Sequence, residues 1–253
     1  MYPAPLASRV SAAPLTLDIT HLGRLPYAQA YDAQVRTLDA LLARRESSNL
    51  PPHAGTILTV EHDPVITISR RPGAREHLTA TPAMLERAGV SVEETDRGGD
   101  ITYHGPGQLV LYPILDLTLL NLGLHDYMRL LEQSVIDLCA SFGLAAAREP
   151  GATGVWVPRA DAPASKLCAM GVRVRRWISM HGLALNVTTN LDHFNLIIPC
   201  GLAGRSVTSL ARELGPRCPS FTDTRDRLVD ILAAHVRDAY ARASAKRAAA
   251  SEP

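Results

Sequence analysis

The chain has no apolar run long enough for a transmembrane helix and no low-complexity stretch that would divide two domains, so a single soluble domain is expected. Charge of one sign is missing too. With 26 Lys and Arg against 25 Asp and Glu, no whole-chain field draws the protein to nucleic acid or to an anionic membrane. Cysteine is scarce: Cys139, Cys168, Cys200 and Cys218 make no disulfide framework in 253 residues. None stand as Cys-x-x-Cys, which disfavours zinc and dithiol chemistry and fits a reducing cytoplasm. Residues 1–14 are rich in Ala, Pro and Ser but lack the apolar core of a secretory signal, so a disordered tail is expected there. The same is expected of 243–253.

What is present suffices for one substantial core, at 46% hydrophobic residues. Residues 15–20 alternate as a strand, and Pro26–Arg45 carries Tyr27, Tyr31, Val35, Leu38 and Leu42 at helical spacing. Thr56–Glu61 and Val65–Ser69 read as strand, turn and strand around His62-Asp-Pro64. Thr81-Pro82 caps and opens a short helix that stops near Gly89, and Val90–Thr95 reads as a strand. Leu109–Leu117 is nearly continuous in apolar residues, as in a strand buried on both faces, with Pro113 expected near its end or at an edge. His125–Phe142 is an amphipathic helix. Thr153–Val157, Lys166–Arg175 and Ile178–Val187 read as strands. A short helix over Ser206–Leu214 and a long one over Thr222–Arg242 follow. This grouping predicts an α+β fold, a mixed sheet flanked by helices, within residues 15–242.

Three places could carry chemistry. Arg97-Gly-Gly-Asp-Ile-Thr-Tyr-His-Gly-Pro-Gly-Gln108 holds four glycines among polar residues, and free N–H groups there could cup an oxygen anion. It matches neither Gly-x-x-x-x-Gly-Lys-Ser/Thr nor Gly-x-Gly-x-x-Gly, which weakens a nucleotide reading. Cys200 stands between Pro199 and Gly201 after an apolar Leu196-Ile-Ile198, a setting for a thiol at a turn. Cys139 and Cys168 fall on packing positions, and Cys218 has no cationic companion. Lys166 opens an otherwise apolar strand, where a surface lysine and a catalytic one are equally compatible with the sequence. An ammonium beside a thiol favours the thiolate, which is the nucleophile. Arg173-Val-Arg-Arg176 reads as a solvated strand edge.

Taken together, these motifs, with Tyr112-Pro113, Gly171-Val-Arg173, His181-Gly-Leu-Ala-Leu-Asn-Val187 and Val207-Thr-Ser-Leu210, resemble the octanoyltransferases of lipoate synthesis. The likeness runs in order from Leu22 to Leu210. It implies a transferase of the biotin/lipoate protein ligase fold that takes octanoyl from acyl carrier protein as a thioester on Cys200. Lys166 matches the activating lysine. Substrate-binding stretches fall by position on Arg97, Gly98, Gly99, Asp100, Ile101, Thr102, Tyr103 and His104, on Ala169, Met170 and Gly171, and on Gly182, Leu183 and Ala184. The implied acceptors are lipoyl domains of 2-oxoacid dehydrogenase E2 subunits and the glycine cleavage H protein. A monomer without metal or cofactor is implied, with no nucleic acid or membrane partner. Ser69 stands where the family commonly has glycine. Two other readings remain open: an ATP-dependent lipoate or biotin ligase of the same fold, and a non-catalytic acyl-binding or carrier-docking protein.

Overall fold

A computed structural model describes residues 14–47, 50–198 and 205–250. The chain runs β1 (Thr16–Leu25), α1 (Tyr27–Arg45), β2 (His53–His62), β3 (Val65–Ser69), α2 (Pro82–Ala88), β4 (Ser91–Thr95), β5 (Ile101–His104) and β6 (Gln108–Leu115). It continues through α3 (Leu124–Ser141), β7 (Ala147–Glu149), β8 (Ala152–Val157), β9 (Ser165–Arg175), β10 (Ile178–Asn186), α4 (Leu210–Leu214) and α5 (Phe221–Ala250). Seven strands form a mixed sheet in the order β1-β2-β6-β10-β9-β8-β7, and three form a smaller one in the order β4-β3-β5. This is the α+β architecture expected. Among the described residues no helix is long and apolar enough to cross a membrane.

Residue alternation explains the layers. On β6, Leu109, Leu111 and Leu115 join the core under α3 and α5, while Val110, Tyr112 and Ile114 face the core under α1. A strand with successive side chains on opposite faces must then be apolar throughout. The small sheet packs its own cluster around Ile66, Ile68, Ile101 and Tyr103. At α2, Thr81 accepts the Met84 N–H and Gly89 closes the helix with φ 63°.

Several elements depart from the sequence reading. β2 and β3 form no hairpin: the chain at His62-Asp-Pro64 leaves the large sheet for the small one. Only Leu210–Leu214 is helical in the stretch from Ser206, because Val207 bridges to Lys166 as an extended segment. Helix α5 passes Arg242 and continues to Ala250. Its alanines favour helix, and Ala243, expected in a tail, is buried.

Pro113 sits in the middle of the sheet, between β2 and β10, and not near an edge. It is tolerated because the β10 ladder beside it is interrupted after Leu183 pairs with Leu111. There His181 takes φ 57°, and the Ser179 hydroxyl donates to the Pro113 carbonyl at 2.7 Å while accepting the Leu115 N–H at 3.0 Å. The missing proline donor thus falls where the ladder between β6 and β10 is interrupted.

Candidate active site

On the α1 side of the large sheet, the loop between β4 and β5 lies against β9, with the Gly98 N–H donating to the Val172 carbonyl at 2.9 Å. Beneath it lies a mostly apolar pocket that opens to solvent at its mouth. Arg97, Gly99 and Asp100 from the loop and Ile101, Thr102 and His104 from β5 form one wall. Ala169, Met170 and Gly171 of β9 and Gly182, Leu183 and Ala184 of β10 form the opposite one. Tyr27, Val110, Tyr112 and His181 complete the lining. Two of the stretch members lie elsewhere. Gly98 lines an adjoining outer cleft, and Tyr103 packs edge-on against His193 and Phe194, its hydroxyl 2.7 Å from His193 Nδ1.

Backbone crowding accounts for two of the glycines. A Cβ on Gly171 would lie 2.6 Å from the Gly98 carbonyl oxygen, and one on Gly182 would lie 2.4 Å from the Leu111 oxygen and 2.6 Å from Pro113 Cδ. These are the contacts that hold loop to strand and strand to strand. Ser69, the departure from the family pattern, donates its hydroxyl to the Gly99 carbonyl at 2.9 Å and accepts the Arg71 N–H at 3.2 Å. It ties down the glycine-rich loop.

Arg97 donates to both the carbonyl and the hydroxyl oxygen of Thr67 at 2.9 Å. Its neighbour Asp96 accepts from the Tyr31 hydroxyl at 2.8 Å, from His181 Nε2 at 2.8 Å and from Arg173. Burial raises the Asp96 pKa, but these three partners outweigh it and hold the carboxyl below its ordinary value. Arg173 is therefore spent on the site, and Arg175 and Arg176 face Asp39 and Glu46 at 3.3 and 3.4 Å. The basic run is thus also a set of ion pairs; β9 pairs with β10 along it while its pairing with β8 stops at Cys168, so the run lies on a strand edge as expected.

The deeper polar groups are satisfied in chains. His62 Nδ1 donates to the Leu25 carbonyl at 3.2 Å, so its Nε2 accepts from the Tyr112 hydroxyl at 2.7 Å. His104 Nδ1 donates to Gln108 Oε1 at 2.7 Å, Gln108 donates to Asn186 Oδ1 at 2.9 Å, and Asn186 donates to the Thr208 carbonyl at 3.0 Å. Thr208 N–H in turn reaches the Lys166 carbonyl at 2.9 Å. A continuous buried network thus runs from the pocket wall to the lysine strand.

Burial, the largest cause in each case, holds His62, His104 and His181 below the usual histidine range, His62 at about 4. An unfolded chain takes up protons on these rings below pH ~6.5 and the folded chain does not, so stability is full above that pH and falls on acidification. For His62 alone, the loss between pH 6.5 and 4 is on the order of 3 kcal/mol. Urea unfolding midpoints should therefore drop steadily from pH 7 to pH 4, and less steeply in His62→Gln. A midpoint that stays level across that range contradicts the neutral-histidine network.

Lys166 is nearly buried on β9 and lines the outer cleft, which shares Gly99, Asp100, Met170 and Gly171 with the apolar pocket. Its N–H donates to the Ser206 carbonyl at 2.9 Å, and its Nζ lies 4.6 Å from the Trp156 ring centroid. Cys200 lies outside the described residues. Chain on either side of 199–204 is placed: Ile198 N–H donates to the His77 carbonyl at 2.8 Å, and Ser206 and Thr208 pair with Lys166. Cys139 and Cys168 are wholly buried, and burial pushes the Cys139 thiol up to about 12 and the Cys168 thiol up as well. Both are packing residues. Cys218 is half-buried, with its thiol also raised by burial.

Tyr27, His62, Tyr112 and His181 are the site groups that the sequence reading did not assign to it. Tyr27 and Tyr31 are four residues apart on α1, the spacing that puts them on one helix face, and their hydroxyls meet Thr95 at 2.6 Å and Asp96. That spacing signals a shared face, but not what the face meets.

Residues 31–233 match the family model described as the lipoyl protein ligase A/B catalytic domain. A curated octanoyltransferase of Bacteroides fragilis is 43% identical over 204 residues, covering 81% of this chain and 90% of that protein. One from Chloroflexus aggregans is 44% identical over 220 residues, covering 87% and 94%. Among solved structures, the bipartite lipoate protein ligase of Thermoplasma acidophilum superposes with a TM-score of 0.64 at 15% identity, covering 88% of this chain and 84% of that one. The last is a likeness of fold.

Proposed function

Because this chain belongs to the lipoyl protein ligase A/B catalytic-domain family and is an octanoyltransferase, an acyltransferase that delivers octanoyl groups to lipoyl domains, we propose a two-step reaction through Cys200 and Lys166. The donor is octanoyl-acyl carrier protein. The acceptors are lysines of lipoyl domains in 2-oxoacid dehydrogenase E2 subunits and of the glycine cleavage H protein. One observation carries the reading: a nearly buried lysine stands in the cleft that continues into an apolar pocket.

In the first step the Cys200 thiolate, favoured by the Lys166 ammonium, attacks the carrier thioester carbonyl. A new C–S bond forms, the carrier C–S bond breaks, and Lys166 gives its proton to the departing carrier thiolate. Lys166 is then a neutral amine. In the second step it takes the proton of the incoming lysine as that nitrogen attacks the acyl carbon, the Cys200 C–S bond breaks, and the thiolate returns. Thioester exchange is nearly balanced and amide formation runs downhill, so no cofactor is called for. Backbone N–H groups of the glycine-rich stretch are suited to hold the oxyanion, an effect worth ~3–4 kcal/mol per donor. The stretches 97–104, 169–171 and 182–184, Tyr103 excepted, hold the substrate, with the octanoyl chain in the apolar pocket. A monomer in a reducing cytoplasm, where Cys200 stays a thiol, completes the reading.

Octanoylation of a lipoyl domain by octanoyl-acyl carrier protein without ATP tests it. A requirement for ATP and free octanoate would install the ligase reading instead.

The pocket wall also sets chain length. Ala184 faces the pocket, whereas a side chain at Gly171 or Gly182 would strike backbone, so Ala184 is the position at which bulk reads out length and not folding. At ~0.8 kcal/mol per buried CH₂, Ala184→Val should shift preference from octanoyl toward hexanoyl by about tenfold. Competition between the two carriers measures this, and an unchanged ratio in the folded variant means that Ala184 only packs against α1.

A further inference from the structure

We infer that Trp156 is a positioning residue for the transfer: its indole holds the Lys166 ammonium, and the Arg205 guanidinium on the same ring ties that lysine to the chain that follows residue 204. The inference rests on the Lys166–Cys200 reading given above.

Strand register brings the ring and the lysine together. Val155 pairs with Cys168, yet Trp156 pairs with Lys166, so Leu167 is an extra residue and the ladder bulges there. In an unbroken ladder Trp156 would oppose Leu167; the bulge re-aims the strand, a device found beside active sites. The ammonium then sits 4.6 Å from the ring centroid and the Arg205 guanidinium carbon 5.1 Å from it, both within the range at which an aromatic face attracts a cation. Arg205 is held in turn by Glu149, at 2.7 Å. Gly154 lets β8 approach β9 closely at this point: a Cβ there would lie 2.5 Å from the Cys168 oxygen.

The indole is wholly buried, and its N–H has no hydrogen-bond partner among the described residues. A tryptophan kept for its donor would have one. What this site uses is the face of the ring. Lysine is a point charge on a flexible four-carbon stem, and a cation-binding face narrows where that charge can stand. Arg205 on the same ring places the chain that begins at residue 205 beside the ammonium.

Fluorinated tryptophans weaken the face with little change of shape, and the chain has two tryptophans. The second, Trp177, is exposed at the β9–β10 turn, so Trp177→Phe leaves Trp156 as the labelled residue. The readouts are the pH midpoint of iodoacetamide alkylation on the Cys200 peptide and kcat for octanoyl transfer. With each added fluorine the midpoint should rise and kcat should fall, by roughly three- to tenfold across the series. In a Lys166→Ala background the fluorine dependence should vanish. A flat series, with Lys166→Ala still raising the midpoint, overturns the role of Trp156 alone. If Lys166→Ala leaves the midpoint where it was, the Lys166–Cys200 reading fails and the clamp with it.

Discussion

Cys200→Ser is expected to lower octanoyl transfer by ~10³-fold or more while the thermal unfolding midpoint stays at its wild-type value. A free thiol ionises near pH ~8.5, within reach of one neighbouring ammonium, whereas a serine hydroxyl stays protonated at neutral pH and needs a base poised on its own proton. The other thiols cannot stand in. Cys168 is wholly buried beside the core and Cys139 is held up at about 12, so neither supplies a thiolate at neutral pH. Steady-state transfer with each of Cys200→Ser and Cys168→Ser decides the matter. Near-normal turnover in the first together with loss in the second would mean that the wrong thiol has been chosen.

Lys166→Ala is expected to slow both half-reactions, by ~10²–10⁴-fold in overall turnover, since one group supplies the charge that favours the thiolate and then the base for the incoming amine. The sign of the pH effect follows. With the ammonium gone, the Cys200 thiolate loses its stabilising charge, and the alkylation profile moves to higher pH. Lys166→Arg separates the two roles: it keeps a cation but cannot take up a proton at neutral pH, so acylation should survive better than transfer. An unchanged alkylation profile in Lys166→Ala would remove the lysine from the mechanism.

Local signals were legible where local physics decides the structure. Thr81, Pro82 and Gly89 mark α2 because cap, first turn and left-handed stop act within the nine residues from Thr81 to Gly89. The strands β8, β9 and β10 were likewise visible from side-chain pattern. Non-local pairings were not. Nothing in His62-Asp-Pro64 says that the strands on either side belong to different sheets, and Pro113 stands mid-sheet where the ladder to β10 is interrupted and Ser179, far along the chain, bonds its carbonyl.

The site shows the same division. The stretches around Arg97, Ala169 and Gly182 were recognisable as motifs, and twelve of their fourteen residues line one pocket. Motif membership does not give direction, however. Tyr103 belongs to the stretch but turns into the small sheet's core beside Phe194, while Tyr112, on β6 of the large sheet, reaches the pocket. Gly171 and Gly182 line the pocket, and glycine is required there by the Gly98, Leu111 and Pro113 atoms that press on them. Those contacts join residues 69 to 73 positions apart, which no residue spacing encodes.

The acyl-enzyme is the central claim, and intact mass spectrometry after brief incubation with octanoyl-acyl carrier protein, with no acceptor present, tests it most directly. The expected result is one octanoyl adduct that maps to the Cys200 peptide, is released by neutral hydroxylamine, is absent from Cys200→Ser and disappears when a lipoyl domain is added. Transfer to the lipoyl domain at full rate with no adduct on Cys200 at any time, or an adduct that hydroxylamine leaves in place, would contradict it.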